Sequence, residues 1–221
     1  MNIMRYLIIN LKQYIEPIER KDELKNAIQS LEEYSKKLNV EIIIVPQFLE
    51  ANFYAWHNCK TFVQHVDFEE PGKGTGYMLP ETLPVNKVEG TLLNHSEHRL
   101  KFDVIEKTVE RLKKLNLRVC LCAKNSLEVK KFNKLNIDFI AVEPPKLIGG
   151  DISVSSAKPQ LISNSVKNSN NIPLLVGAGI KNKDDVKKAI ELGAKGILIA
   201  SGIAKSENYY ETIKDLLEGF E

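Results

Sequence analysis

The chain of 221 residues predicts an α/β fold, a single (β/α)8 barrel spanning residues 1–221. Three features of the sequence carry that expectation. Eight apolar runs rich in β-branched residues recur along it, amphipathic segments lie between them, and polar residues gather where the runs end. Nearly continuous hydrophobicity marks parallel strands buried on both faces. Eightfold alternation within roughly the ~250 residues of such a barrel suits closure into a ring. A doubly wound open sheet would show the same alternation. The polar strand ends favour the barrel, whose sites are built at the carboxyl-terminal face of the strands.

In chain order, "RYLIIN" at 5–10 is the first strand, and a helical stripe follows over Lys21–Leu38, with Leu24, Ala27, Ile28 and Leu31 on one face. "VEIIIVP", "TFVQH" and "GTLLNH" are the next three strands. Phe102–Leu115 repeats the helical pattern with Ile105, Val109 and Leu112, and leads into "LRVCLCA" and "DFIAVEP". Pro159 before "QLISNSV" suits a helix start, because proline lacks the N–H that the first helical position does not need. "IPLLVGAG" and "GILIASG" complete the strands, with helical segments at Val186–Leu192 and Tyr209–Leu217. No linker, repeat or low-complexity stretch divides the chain.

Hydrophobic residues at 43% and charged residues at 27% are ordinary for a globular protein. A net charge of +2 gives no case for nucleic acid or a membrane surface as partner. The apolar stretch in Met1–Asn10 is too short for a secretory signal, and no run approaches membrane-spanning length; the three cysteines, which cannot all pair, fit a reducing cytoplasm. Of Cys59, Cys120 and Cys122, the last two alternate within "RVCLCA". They read as small core residues on one strand face rather than a redox pair or metal site.

Asn10, Gln64, Asn94, His95, Glu143, Gly177 and Ser201 all fall at strand ends. Glu143 leaves a buried strand among apolar walls, a setting that suits a carboxylate to take up a proton. Pro144 and Pro145 stiffen the chain after it, and Gly149 and Gly150 loosen it again, the pattern of a lid attached to a reactive residue. A lone glutamate is otherwise more often a surface ion-pair member. His95 stands at a strand-to-helix turn, where backbone amides aimed at the ring disfavour imidazolium and leave a neutral donor. A metal site built on His95 and His98 lacks a third ligand at suitable spacing. His57 and His65 read as structural or exposed. Lys12 places an ammonium near the first strand end, able to attract phosphate and stabilise an oxyanion. The turns "VGAGI" and "ASGIAKS" expose backbone N–H groups at the usual phosphate position of such barrels, whereas "GKGTG" at 72–76 lacks nucleotide-loop spacing. A base, a neutral polariser, a cation and a phosphate cradle together suit proton transfer beside a carbonyl in a small phosphorylated sugar.

The stretches "NLK" at 10–12, "GTLLNHSEHR" at 90–99, "EPPKLIG" at 143–149, "GAGI" at 177–180 and "LIASGIAK" at 198–205 resemble those of triosephosphate isomerase, in its short archaeal form, across nearly the whole chain. The resemblance implies a TIM barrel that interconverts dihydroxyacetone phosphate and D-glyceraldehyde 3-phosphate, in glycolysis and gluconeogenesis, with no cofactor and no metal. It implies Glu143 as the base, His95 as the donor to the substrate oxygens and Lys12 as the stabilising cation. Asn10 and Leu11 would position substrate, Glu97 would hold Lys12, and Ile148, Gly179, Ala200 and Ser201 would contact phosphate. The family's third loop, here with Thr75 near its tip, reaches a neighbouring subunit, so a homotetramer, or otherwise a homodimer, is implied. His98 stands where the family usually has arginine, Val142 where it commonly has tyrosine, and "GGD" at 149–151 replaces "GTG". Another phosphosugar isomerase or epimerase would need a second acid or base on the opposite substrate face. A barrel that binds phosphate without isomerase activity would not need Lys12, His95 and Glu143 together.

Overall fold

Residues 4–144 and 158–221 are described by the computed structural model. The strands are β1 (Arg5–Asn10), β2 (Val40–Val45), β3 (Phe62–Val63), β4 (Gly90–Leu93), β5 (Arg118–Ala123), β6 (Phe139–Val142), β7 (Leu174–Val176) and β8 (Gly196–Ile199). They form one parallel sheet in the order β2-β1-β8-β7-β6-β5-β4-β3. The two ends of that order meet through a parallel bridge between Ile44 and Thr61, where the Ile44 N–H donates to the Lys60 carbonyl at 2.9 Å. The sheet therefore closes into the expected (β/α)8 barrel, and closure removes the unpaired edges of an open sheet.

Among the described residues the helices are α1 (Glu16–Glu19), α2 (Lys21–Ser30), α3 (Glu32–Lys37), α4 (Phe48–Trp56), α5 (Thr82–Val85), α6 (Phe102–Lys114), α7 (Ser126–Phe132), α8 (Pro159–Ser169), α9 (Lys183–Glu191), α10 (Ser201–Ala204) and α11 (Tyr209–Glu218). None is long and apolar enough to cross a membrane. The single helix expected over Lys21–Leu38 is two, α2 and α3. They meet at Leu31 (φ −97°, ψ 1°), whose N–H is shared between the Ala27 and Ile28 carbonyls, both at 3.2 Å. That bifurcated turn tightens the backbone while Leu31 stays buried in the core. "TFVQH" contracts to two ladder residues at the closure point, where β3 meets β2 only through the bridge.

Strand residues alternate between two cores. Ile8, Ile43, Phe62, Leu92, Cys120, Phe139, Ala141, Leu175 and Leu198 fill the barrel interior. Leu7, Ile9, Ile42, Ile44, Val176, Ile197 and Ile199 pack outward against the helices on one side, and Val63, Leu93, Val119, Leu121, Ile140 and Val142 do so on the other. Cys120 and Cys122 are free buried thiols on the interior face, as their alternation predicts.

At the amino-terminal end of the barrel, Arg118 donates to both carboxylate oxygens of Glu41, at 3.0 and 2.7 Å. Its guanidinium lies over Phe62 and Phe139, 5.3 and 4.9 Å from their centroids. Partly buried charge is tolerable there because the bidentate geometry satisfies both partners. The barrel is tight enough to need glycine beside this layer. A Cβ on Gly196 would lie 2.1 Å from the Tyr6 carbonyl oxygen, within a ladder pair. Gly196→Ala is expected to lower stability by about 2–3 kcal/mol by forcing β1 and β8 apart. A urea denaturation midpoint equal to that of the parent chain would contradict this.

Candidate active site

The strand alternation sets the site. Two residues beyond the interior positions Ile8, Ala141, Leu175 and Leu198 come Asn10, Glu143, Gly177 and Ala200, all lining one cavity of about 430 Å³ at the carboxyl-terminal mouth. His95 lies on the outward parity after Leu93, but Asn94 adopts φ 59° and redirects the chain. Asparagine tolerates this left-handed backbone. Here its side chain fixes the turn, donating to the Cys122 carbonyl at 2.9 Å and accepting from the Leu100 N–H at 2.9 Å. His95 thereby reaches the same cavity and is 7% exposed.

Lys12 also has a left-handed backbone, φ 46°. Its N–H donates to Asn10 Oδ1 at 3.0 Å and its carbonyl accepts from Gln64 Nε2 at 2.8 Å, so two strand-end amides hold the strained residue. Strain of this kind costs on the order of 1 kcal/mol or more and points to a position set by function. The Lys12 Nζ donates to Glu97 Oε1 at 2.8 Å. The Glu97 N–H donates to His95 Nδ1 at 3.2 Å. A ring nitrogen that accepts carries no proton, so the neutral ring holds its hydrogen on Nε2. Glu97 Oε2 is 3.5 Å from Nδ1, but the closer Lys12 contact is the one that engages this carboxylate.

His95 Nε2 stands 3.4 Å from Glu143 Oε2. Glu143 is 5% exposed, and its Oε2 finds no hydrogen-bond partner among the described residues. A buried carboxylate oxygen without a donor is costly and calls for an explanation. The Glu143 side chain packs against the backbone of Gly177, where an added Cβ would lie 2.6 Å from Glu143 Cγ. Below it, burial pushes the Cys122 thiol well up, and the Glu143 carboxylate adds to that shift through its charge and a hydrogen bond.

Gly179 (φ 68°), Ala200 and Ser201 also line the cavity, with Ser201 opening α10. Leu11 turns its side chain into the core, and its N–H donates to the Val45 carbonyl at 3.0 Å. Ile148, Asp151 and the expected lid with Pro145, Gly149 and Gly150 lie outside the described residues. Tyr14, Lys181 and Lys205 line the cavity without having been singled out from the sequence. A second cavity of about 610 Å³ shares Asn10, Lys12, Tyr14 and His95 with the first. There His98 meets His65, ring centroids 4.2 Å apart, and His65 Nε2 lies 3.0 Å from Asp67 Oδ1. Burial, then the neighbouring His65, lowers the His98 pKa from its ordinary value. No group of three or more His, Cys, Asp or Glu among the described residues is arranged to hold a metal ion.

Residues 5–216 match the family described as triosephosphate isomerase. The chain belongs to the triosephosphate isomerase family. A triosephosphate isomerase of Thermoplasma volcanium is 40% identical over 215 residues, covering 96% of this chain and 99% of the relative. That of Methanocaldococcus jannaschii is 36% identical over 217 residues, covering 96% and 98%. That of Cenarchaeum symbiosum is 38% identical, covering 96% of each.

The contact between Glu143 and Gly177 can be tested apart from any activity. Gly177→Ala is expected to shift the Glu143 carboxylate by about 1 Å, or to cost about 1–3 kcal/mol of stability if the side chain cannot move. A crystal structure with Glu143 in place, together with an unchanged denaturation midpoint, would contradict the close packing.

Proposed function

We propose that this chain is a triosephosphate isomerase that interconverts dihydroxyacetone phosphate and D-glyceraldehyde 3-phosphate through an enediolate. The observation that carries the reading is Glu143, a buried carboxylate whose Oε2 has no hydrogen-bond partner among the described residues, 3.4 Å from the His95 Nε2 in a cavity that Lys12 also lines. Glu143 takes the proton from carbon 1, leaving an enediolate, and returns it to carbon 2. The Nε2–H of neutral His95 donates to the substrate oxygens as charge builds on them, and Lys12 offsets that charge. Asn10 fixes Lys12 through the Oδ1 contact, and Glu97 serves as its tether. Leu11 acts through its backbone in shaping that turn. Backbone N–H groups around Gly179, Ala200 and Ser201 receive the phosphate. The interconversion moves protons within one carbon skeleton and calls for no redox partner, so no cofactor or metal is proposed.

We read the chain as one catalytic domain over residues 1–221, of the short archaeal type, cytoplasmic, serving glycolysis and gluconeogenesis. A homotetramer is favoured over a homodimer. Supporting association, α4 presents Leu49 at 88% and Trp56 at 55% exposure, and both line one shallow surface depression with Phe53. Exposed apolar side chains grouped along one flank mark an association surface.

A coupled assay for glyceraldehyde 3-phosphate formation on the purified chain tests the activity, and absence of turnover would refute it. Glu143→Asp is expected to keep substrate affinity while kcat falls roughly a hundredfold, because a base withdrawn by about 1 Å loses its approach to the proton. Near-normal turnover would remove Glu143 from this role. Light scattering on the eluting protein should give a mass of four, or at least two, chains; a monomer at micromolar concentration would overturn the oligomer.

A further inference from the structure

The cavity that Glu143 lines also carries a cation that the reaction as described does not use. Lys205 follows α10 directly, and its N–H donates to the Ser201 carbonyl at 3.1 Å, which closes that short helix. Its side chain is exposed, lines the same cavity as Lys12 and His95, and sets its ammonium 5.1 Å from the centroid of the Tyr14 ring. Tyr14 lines that cavity too, two residues past Lys12, and its N–H donates to the Leu11 carbonyl at 3.2 Å. An ammonium over an aromatic face is drawn to it and loses part of its rotational freedom. The ring thus holds the lysine at the mouth instead of letting it range through solvent.

The other charges of the cavity sharpen the case. Lys12 is engaged by Glu97 at 2.8 Å. The Lys181 N–H donates to Asp185 Oδ2 at 3.0 Å, so a carboxylate is bound at that residue's backbone. Among the described residues that line the cavity, Glu143 is the one carboxylate, and it is buried. Lys205 stands directly after the short helix that Ser201 opens, so a dianionic phosphate held at Ser201 would have this exposed ammonium as a neighbour.

We propose that Lys205, positioned by Tyr14, is a binding and steering residue for the phosphate of the substrate, separate from the groups that move protons. This rests on the isomerase reading above. An exposed charge at a cavity mouth raises the local concentration of an oppositely charged ligand, and salt screens it with a Debye length of about 10 Å at 0.1 M. The role therefore predicts a change in KM and in phosphate affinity, not in the chemical step.

The test compares the full-length parent chain with Lys205→Gln, Lys205→Arg and Tyr14→Leu across a series of ionic strengths. Glutamine keeps the backbone contact to Ser201, so the fold is preserved. For Lys205→Gln, the KM for glyceraldehyde 3-phosphate and the inhibition constant of inorganic phosphate should both rise about three- to tenfold at low salt, converging on the parent as salt is added. The value of kcat should change much less, arginine should restore most of the loss, and Tyr14→Leu should give a smaller rise in the same direction. KM values for Lys205→Gln that superimpose on the parent's at every ionic strength would overturn the proposal. So would a fall confined to kcat. If the parent shows no turnover, the isomerase reading fails, yet calorimetric titration with inorganic phosphate still decides Lys205. Weaker, salt-sensitive binding in Lys205→Gln supports it, and equal binding overturns it.

Discussion

The contact between the Glu143 side chain and the backbone of Gly177 governs the mouth of this barrel. Adjacent parallel strands lie under 5 Å apart, and the Glu143 side chain occupies the space that a side chain on Gly177 would need. With Cγ 2.6 Å from where a Cβ on Gly177 would be, Glu143 has one wall it cannot cross. Its carboxylate is directed into the cavity toward His95 instead of turning outward to water. The cost is an oxygen without a donor among the described residues, an arrangement that a stability argument alone would not retain.

A second set of interactions works by assigning each charge one task. Glu97 engages Lys12 through its carboxylate and His95 through its own backbone N–H. The first contact steadies the cation; the second leaves the His95 proton on the nitrogen that faces Glu143. Two left-handed residues, Lys12 and Asn94, make this possible, and each is held by side-chain amides from the interior face of the barrel. Local strain at the strand ends is offset by the closed sheet beneath, where Arg118, Glu41, Phe62 and Phe139 lock the opposite end.

Much of this was legible in the sequence, for a physical reason. Strands buried on both faces declare themselves as continuous apolar runs, and the residue two positions beyond the last interior side chain is then fixed by alternation. Asn10, Glu143 and Gly177 were readable in that way. His95 was readable as a strand-end residue, although its direction depends on the turn at Asn94. Contacts between segments remote in sequence were not readable. Lys205 meets Tyr14 only because β8 pairs with β1, which brings the two ends of the chain together. His98 meets His65 only because β3 pairs with β4. The break at Leu31 was hidden because the apolar stripe continues through it while the backbone turns.

The central claim is that the buried carboxylate of Glu143 exchanges a proton with a carbon of the substrate. Proton NMR of dihydroxyacetone phosphate in deuterated water, with enzyme present, tests it most directly. The parent chain should wash deuterium into carbon 1, and Glu143→Gln, nearly isosteric but unable to accept the proton, should reduce that exchange to the level seen without protein. Equal exchange rates for the two chains would contradict the account.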